Sequence, residues 1–159
     1  MRYFLIDKVT EVEVGVRVCG IKNVTLADPI LHDHFPDYPV MPGALIVEAA
    51  AQLAGFLLEL TFNESDETPV VRALLVQIER AKFRAMAGPG DQLHIEARLE
   101  SRLASSAKAS ALVTCGGKKV ATATLTFSMR RLDSERVQEQ RRYIYKLWTR
   151  DLSEPIKIR

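Results

Sequence analysis

The feature that most constrains this chain is a long apolar stretch with the pattern of a buried helix and one early carboxylate. Residues 45–58 are almost all apolar or small, and Glu48 is their only charged residue. Pro42 and Gly43 come just before the stretch, and proline suits a helix start because its missing N–H is not needed there. A helix that is apolar on nearly every side is buried, so we expect residues 43–60 to form a central helix. A glutamate inside such a helix needs a partner or a chemical role.

A proline-rich loop precedes this helix and carries a histidine. Pro36, Pro39 and Pro42 favour an extended and rigid approach, because each proline fixes its own φ angle. His34 opens the loop with the tripeptide His-Phe-Pro. A loop histidine is most often a surface residue, and a glutamate in an apolar helix is often a structural hydrogen-bond acceptor. The function therefore depends on the motif around both residues.

The rest of the chain has the alternation of an antiparallel sheet. Residues 12–18 and 93–100 alternate with period two, as half-buried strands do. Residues 107–115 and 120–129 flank a Gly-Gly pair, which is typical of a β-hairpin. One buried helix and a long antiparallel sheet predict an α+β domain.

The last 30 residues differ from the rest in charge. Residues 130–159 contain nine Lys or Arg against five Asp or Glu, whereas the preceding residues contain 13 against 15. Val137, Ile144 and Trp148 recur at helical spacing behind Ser134, which is a suitable N-cap. We expect an accessory helix that packs its apolar stripe on its own subunit or on the dimer, with a basic surface for an acidic partner as the alternative.

We therefore expect residues 1–129 to form the main domain. Residues 130–159 are a basic amphipathic extension that we expect to be part of the same domain. The net charge of +2 is modest and no aromatic–basic platform appears, so we expect no nucleic-acid partner. Charged and polar residues interrupt the apolar stretch, so we expect no membrane span. Cys19 and Cys115 have no metal-ligand spacing, which favours free thiols in a reducing cytoplasm and no metal site.

The loop and helix together resemble the signature of the (3R)-hydroxyacyl-acyl carrier protein dehydratases of type II fatty-acid synthesis. The matching segments are His34-Phe35-Pro36, Pro39-Val40-Met41-Pro42-Gly43, Glu48-Ala49 and Gln52. The 14 positions between His34 and Glu48 are the spacing of that family. The resemblance extends over about residues 5–129. It departs at Asp33 and Asp37, where the family usually has glycine.

The resemblance implies a hotdog fold, in which an antiparallel sheet wraps a long central helix. Elimination of water from a hydroxyacyl thioester needs a base, an acid and a donor for the carbonyl oxygen. We assign His34 as the base, Glu48 as the acid and the backbone N–H of Gly43 as the donor, with Gln52 orienting Glu48. The resemblance also implies that His34 and Glu48 meet from opposite subunits of a homodimer or a trimer of dimers. It implies no metal or cofactor.

Two further sets of residues are expected around this site. Apolar residues that are candidates for holding the acyl chain are Phe35, Met41, Leu45, Phe56 and Phe83. The carrier protein of such pathways is acidic, so basic residues are candidates for docking it: Arg80, Lys82, Arg84, Arg130 and Arg131.

Hotdog proteins host several chemistries, so other functions stay open. One alternative is an acyl thioesterase acting on the same kind of thioester. A second is a non-catalytic acyl-binding subunit, although such a subunit needs neither His34 nor Glu48. A dehydratase that also isomerises the double bond typically carries Asp at the helical acid position, so Glu48 favours the simple dehydratase.

Overall fold

The computed structural model describes residues 3–159 and has the expected α+β architecture. Six strands and three helices follow one another in the order β1 (Lys8–Glu13), β2 (Arg17–Asn23), α1 (Ile30–Asp33), α2 (Gly43–Phe62), β3 (Arg72–Phe83), β4 (Gln92–Arg102), β5 (Ser106–Cys115), β6 (Lys118–Arg130) and α3 (Glu135–Trp148). The strands form one antiparallel sheet in the order β1-β2-β4-β5-β6-β3. The sheet curves around α2, so that helix forms the centre of the core.

Helix α2 is the predicted central helix, and 14 of its 20 residues are buried. Small residues allow close packing: a Cβ added to Gly20 in β2 would lie 3.1 Å from the Leu53 side chain of α2. By length and composition alone the helix is apolar enough to cross a membrane. However, 78% of that stretch is buried inside the domain, as in the core helix of a globular protein.

The turn between β1 and β2 corrects one prediction. Residues 12–18 are not a single strand, because a turn at residues 14–16 separates β1 from β2. Gly15 has a φ of +79°, which non-glycine residues rarely adopt. Val14 and Val16 are exposed beside it. The period-two pattern therefore runs through a hairpin turn, and one glycine decides where the strand ends.

The hairpin predicted around the Gly-Gly pair is confirmed. Strands β5 and β6 pair through Cys115 and Lys118, and Gly116 and Gly117 form the two-residue turn. Their φ angles are +55° and +78°, and a tight turn of this kind requires two positive values.

The C-terminal extension forms the expected accessory helix, α3, which packs on its own chain. Tyr145 and Trp148 are buried, and their rings lie 4.7 Å and 6.0 Å from the ring of Phe56 in α2. Ser134 occupies the N-cap position, although its side chain makes no capping hydrogen bond. The buried side chains of α3 therefore extend the same core that the sheet and α2 form.

Strand β3 forms one edge of the sheet and pairs only with β6 within the described residues. Ten of its twelve residues are exposed. Several of them are large and apolar, including Leu74, Val76 and Ile78. An edge strand of this kind presents unpaired backbone groups and apolar surface to whatever meets it.

Candidate active site

Histidine 34 lies directly after α1, and a backbone contact fixes its ring. Its Nδ1 atom is 3.0 Å from the carbonyl oxygen of Val40. A carbonyl only accepts hydrogen bonds, so Nδ1 carries the proton and Nε2 is the free basic atom. The Phe35 ring stacks on the imidazole with the ring centres 4.2 Å apart. The loop thus holds the imidazole in one orientation with one nitrogen available.

The residues after His34 form a tight turn. Phe35 and Tyr38 exchange two backbone hydrogen bonds of 3.0 Å, with Pro36 and Asp37 at the corners. Asp37 has a φ of +63°. Aspartate tolerates this left-handed conformation better than most residues, which explains how it replaces the usual glycine without loss of the turn. The Phe35 and Tyr38 side chains are 57% and 60% exposed, so the turn projects from the surface.

The carboxylates next to His34 do not reach its ring. Asp33 and Asp37 are both exposed. Across residues 3–159, neither forms an ion pair or a side-chain hydrogen bond with His34. In the isolated chain, the hydrogen bond to Val40 is therefore the polar contact that positions the imidazole.

Glutamate 48 lies in the first half of α2, half-buried between the buried residues Val47 and Ala49. Its Oε1 atom accepts a hydrogen bond of 2.9 Å from Nε2 of Gln52, one helical turn later. The Gln52 amide is fixed in turn by the N-terminal segment. Its Nε2 donates to the Tyr3 carbonyl and its Oε1 accepts from the Leu5 N–H, both at 3.0 Å. Gln52 is thus held from two sides while it orients one oxygen of Glu48.

Glu48 and Gln52 border two adjoining cavities. The larger has a volume of roughly 650 Å³, and its other lining residues come from the N-terminal segment and from α3: Tyr3, Phe4, Gln140, Arg141 and Tyr143. The smaller, roughly 200 Å³, continues between α2 and β3 past Ala51 and Gly55 to Glu59. His34 borders neither cavity. Sequence reasoning did not anticipate that α3 would line the surroundings of Glu48, since no local spacing connects them.

The start of α2 lies close to Phe83. A Cβ added to Gly43 would be 2.8 Å from the Phe83 ring, so this position has no room for a side chain. Pro42 is the N-cap and gives no side-chain hydrogen bond. Within the described part of the chain, the Gly43 N–H has no backbone acceptor. It therefore points out of the positive end of the helix as a free donor.

Comparison with known proteins identifies the family. A family model described as a FabA-like domain matches residues 1–124. The curated 3-hydroxyacyl-acyl-carrier-protein dehydratase FabZ of Gluconobacter oxydans is 43% identical over 124 residues, covering 78% of this chain and 72% of that protein. The protein of the same name from Exiguobacterium sibiricum is 40% identical over 80% of this chain and 89% of its own length. The chain belongs to the 3-hydroxyacyl-acyl-carrier-protein dehydratase family.

Solved structures confirm the hotdog fold. The TM-score is 0.68 with a chain of the dehydratase heterocomplex ApeI:P from Xenorhabdus doucetiae, at 18% identity over 87% of this chain and 90% of that one. A hot-dog-like protein from Thermanaerovibrio acidaminovorans gives 0.62, at 20% identity over 80% and 91%. These identities are low, so the structural likeness establishes the fold and the sequence relatives establish the family.

The residues expected to hold the acyl chain are spread over several places in this dehydratase. Phe35 and Phe83 are exposed, Leu45 is half-buried and Met41 is buried beside the start of α2. Phe56 is fully buried under α3. None of the five borders a cavity shared with Glu48 in the described residues. Their role in acyl binding stays a prediction.

The five residues expected to dock carrier protein are all exposed. Three of them, Arg80, Lys82 and Arg84, lie on β3 or just after it, and Arg130 and Arg131 lie at the end of β6 and beyond. Arg131 forms an ion pair of 2.7 Å with Asp133. Their role in docking carrier protein stays a prediction.

A second polar cluster on α2 was missed by sequence reasoning. Glu59 is buried and its Oε2 atom accepts hydrogen bonds of 2.8 Å from both Arg72 and the Tyr145 hydroxyl. Its Oε1 atom accepts the N–H of Ala73 at 3.1 Å. Burial, and then the neighbouring Glu59 charge, raise the pKa of Tyr145 well above its usual value. The cluster joins α2, β3 and α3.

No metal-binding arrangement is present in residues 3–159, where no three His, Cys, Asp or Glu side chains converge. The polar groups described near the start of α2 are an imidazole, a carboxyl group, an amide and a backbone N–H. These groups are the ones that a dehydration by acid–base chemistry requires.

Proposed function

We propose that His34 and Glu48 act as the base and the acid in the dehydration of a (3R)-hydroxyacyl thioester. Family membership gives the reaction: 3-hydroxyacyl-acyl carrier protein loses water in fatty-acid biosynthesis. The roles of individual residues are our proposal. The observation that carries it is the hydrogen bond from Nδ1 of His34 to Val40, because it leaves Nε2 as an oriented base.

The base removes a proton from carbon 2 of the acyl chain, next to the thioester carbonyl. Nε2 of His34 accepts that proton, and the imidazole becomes positively charged. The Val40 carbonyl accepts the hydrogen bond from Nδ1–H throughout, so it also stabilises the charged ring. Electron density then moves onto the thioester oxygen, where the free N–H of Gly43 at the positive end of α2 is the proposed donor.

The acid completes the elimination at carbon 3. Gln52 donates to Oε1 of Glu48, which leaves Oε2 as the atom that carries a proton to the departing hydroxyl. Water leaves as the carbon 2–carbon 3 double bond forms, giving the trans-2-enoyl thioester. Exchange of protons with solvent then restores a neutral His34 and a protonated Glu48.

Two copies of the chain are needed to assemble this site. In one chain His34 borders neither cavity at Glu48, and the turn after it projects outward. The exposed edge strand β3 is suited to pair with the same strand of a second copy, which would continue the sheet across a twofold axis. We therefore propose a homodimer, alone or within a trimer of dimers. We also propose that the protein is cytoplasmic.

Acyl carrier protein is the proposed macromolecular partner. Arg80, Lys82 and Arg84 give one edge of the sheet a positive charge that suits an acidic protein. Reversing the charges of Lys82 and Arg84 together should weaken carrier binding in a salt-dependent manner. Unchanged affinity at low salt would remove both residues from the docking surface.

The test of the function is ultraviolet-monitored hydration of a trans-2-enoyl thioester, the reverse reaction. Wild type should consume the enoyl absorbance, whereas His34→Ala and Glu48→Gln should each lose activity by about 10²-fold or more. Near-normal turnover in either variant would contradict its assigned role. Release of free thiol by the wild type, with no hydration, would indicate a thioesterase. Neither reaction on carrier-linked substrate would indicate an acyl-binding subunit.

Mixing the two inactive variants tests the shared site. A hybrid of one His34→Ala chain and one Glu48→Gln chain has one site with both residues intact. Random exchange of subunits should then restore about a quarter of the wild-type activity. No recovery after verified subunit exchange would mean that each chain supplies both residues to its own site.

A further inference from the structure

Arg141 in α3 is a half-buried cation without a partner. It borders both cavities that Glu48 borders. Across residues 3–159 it makes no ion pair, and its guanidinium carbon lies 6.0 Å from the centre of the Tyr145 ring. The next residue, Arg142, pairs with Glu135 at 2.7 Å. Glu48 borders the same two cavities but forms no ion pair or hydrogen bond with Arg141 within the described residues. The guanidinium is therefore available for a carboxylate that arrives from outside the chain.

Asp37 has the complementary property. It lies at the corner of the turn that follows His34, and it forms no ion pair within the described residues. Its φ of +63° suits glycine equally well, so the backbone does not explain why a charged residue is present. The two aromatic side chains on either side, Phe35 and Tyr38, are exposed.

Both charges lie outside the features by which the family is recognised. Helix α3 lies beyond the residues 1–124 that the family model matches. Asp37 stands where the resemblance gives glycine. A positive charge beside the acid and a negative charge beside the base can form an ion pair only if the two surfaces meet.

We propose that Asp37 of one copy pairs with Arg141 of a second copy, so that α3 seats the turn that carries His34 beside Glu48. This inference rests on the proposed site shared between two copies. The rim of the larger Glu48 cavity also presents Tyr143, 65% exposed, as an apolar neighbour for Phe35 and Tyr38. Arg141 is then a positioning residue, because it acts on the place of His34 and not on the substrate.

The pair should change turnover more than substrate affinity. Misplacing a base by about 1 Å can reduce the rate by up to roughly 10²-fold. We therefore expect Arg141→Gln and Asp37→Asn each to lower kcat for enoyl hydration by roughly tenfold, with KM little changed. Asparagine tolerates positive φ, so Asp37→Asn removes the charge and keeps the turn. Arg141→Lys should retain part of the activity that Arg141→Gln loses, because it keeps the positive charge.

A double-mutant cycle identifies the contact. If the two residues pair, Arg141→Gln with Asp37→Asn should be no worse than the poorer single variant. The matched controls are Lys146→Gln, an exposed residue on another side of α3, and Asp33→Asn, the other exposed carboxylate beside His34. Both should leave kcat near that of wild type. If the kcat losses of Arg141→Gln and Asp37→Asn multiply in the double variant, the two residues act independently and the proposal is wrong. Coupling of Arg141→Gln to Asp33→Asn would also overturn it.

The hybrid of inactive chains shows on which copy each residue acts. Its intact site takes the His34 turn from the Glu48→Gln chain and the Glu48 surroundings from the His34→Ala chain. Arg141→Gln should therefore lower hybrid activity roughly tenfold when added to the His34→Ala chain, and hardly at all on the other chain. Asp37→Asn should show the opposite dependence. Equal effects on either chain would overturn the pairing across copies.

Failure of this inference is distinguishable from failure of the proposed function. Wild-type activity that depends on His34 and Glu48 but not on Arg141 removes the inference alone. Should the protein not hydrate the enoyl thioester at all, the double-mutant cycle is repeated with another readout. The dissociation constant of the homodimer is then measured for wild type, the two single variants and the double variant. Coupling between Asp37 and Arg141 in that constant supports the contact, and its absence overturns it.

Discussion

Two glutamates on the same helix have opposite environments. Glu48 and Glu59 are eleven positions apart on α2, which places them on one face of the helix. Glu59 is buried, and Arg72, Tyr145 and Ala73 satisfy both of its oxygens. Glu48 is half-buried, has one neutral partner in Gln52, and borders both cavities.

The difference separates a structural carboxylate from one that is available for chemistry. A buried charge with a close ion pair and full hydrogen bonding has no capacity left for a substrate, and removing it leaves its cation unpaired. A carboxyl group with one free oxygen beside a cavity can exchange a proton. The same residue type on the same helix face therefore serves folding at Glu59 and, in the function proposed above, catalysis at Glu48.

The largest effect expected from breaking this contrast is at Glu48. Glu48→Gln keeps the shape and the contact with Gln52 but cannot donate the proton, so enoyl hydration should fall about 10²–10⁴-fold. The free energy of unfolding should change by less than about 0.5 kcal/mol. Kinetics and chemical denaturation of the same preparation measure both. A large loss of stability would show that Glu48 is structural as well.

The same substitution at Glu59 should give the reverse result. Glu59→Gln leaves the Arg72 charge buried without a counter-ion, so the free energy of unfolding should fall by roughly 3–5 kcal/mol. Turnover per folded molecule should stay close to wild type at a temperature where the variant is folded. A Glu59 variant that is fully stable but inactive would reverse the contrast.

Tyr145→Phe sharpens the comparison through pH. Removing its hydroxyl deletes a buried hydrogen bond to a charged group and should lower stability by about 1.5–3 kcal/mol. Burial and Glu59 raise the pKa of Tyr145 in the folded protein, so its protonated form is favoured by folding. Wild-type stability should therefore begin to fall above about pH 10, where the unfolded tyrosine ionises and the folded one does not.

The control for this effect is Tyr145→Phe itself, measured over the same alkaline range. Its free energy of unfolding should decline less steeply with pH above about 10 than that of wild type. Denaturant titrations at a series of pH values provide the comparison. Equal slopes for the two proteins would mean that Tyr145 ionises as easily in the folded state as in the unfolded chain.

The smallest effect is expected at Gln52. Gln52→Met keeps the side-chain volume but removes the hydrogen bonds to Glu48, Tyr3 and Leu5. We expect kcat to fall roughly tenfold, since Glu48 loses its orientation. Stability should fall by about 1 kcal/mol, because two contacts to the N-terminal segment are lost. An unaffected kcat would limit Gln52 to holding that segment in place.

Local patterns predicted the parts of the molecule that depend on neighbours in sequence. The central helix follows from continuous apolar residues behind Pro42, and the β5–β6 hairpin follows from the glycine pair. The period-two pattern predicted one strand over residues 12–18, but the turn at Gly15 divides it into β1 and β2. The alternation continues through the turn, so it does not show that this glycine adopts a positive φ.

Long-range contacts account for what the sequence did not reveal at the site. Glu59 gains its partners from 13 and 86 positions away, so its role could not be inferred from the helix itself. The approach of α3 to Glu48 likewise depends on the tertiary packing of Tyr145 and Trp148 on Phe56. The motif therefore predicted His34 and Glu48 as candidate residues, whereas the residues around them depend on tertiary packing.

The open edge of strand β3 has a consequence for how readily the single chain aggregates. A newly synthesised chain carries ten exposed strand residues that can pair with any other free strand. In the homodimer proposed above this edge is covered, whereas in the single chain it favours aggregation. Slow or dilute expression therefore exposes the protein to proteolysis and misassembly for longer, and its usable yield should depend on how quickly one copy meets another.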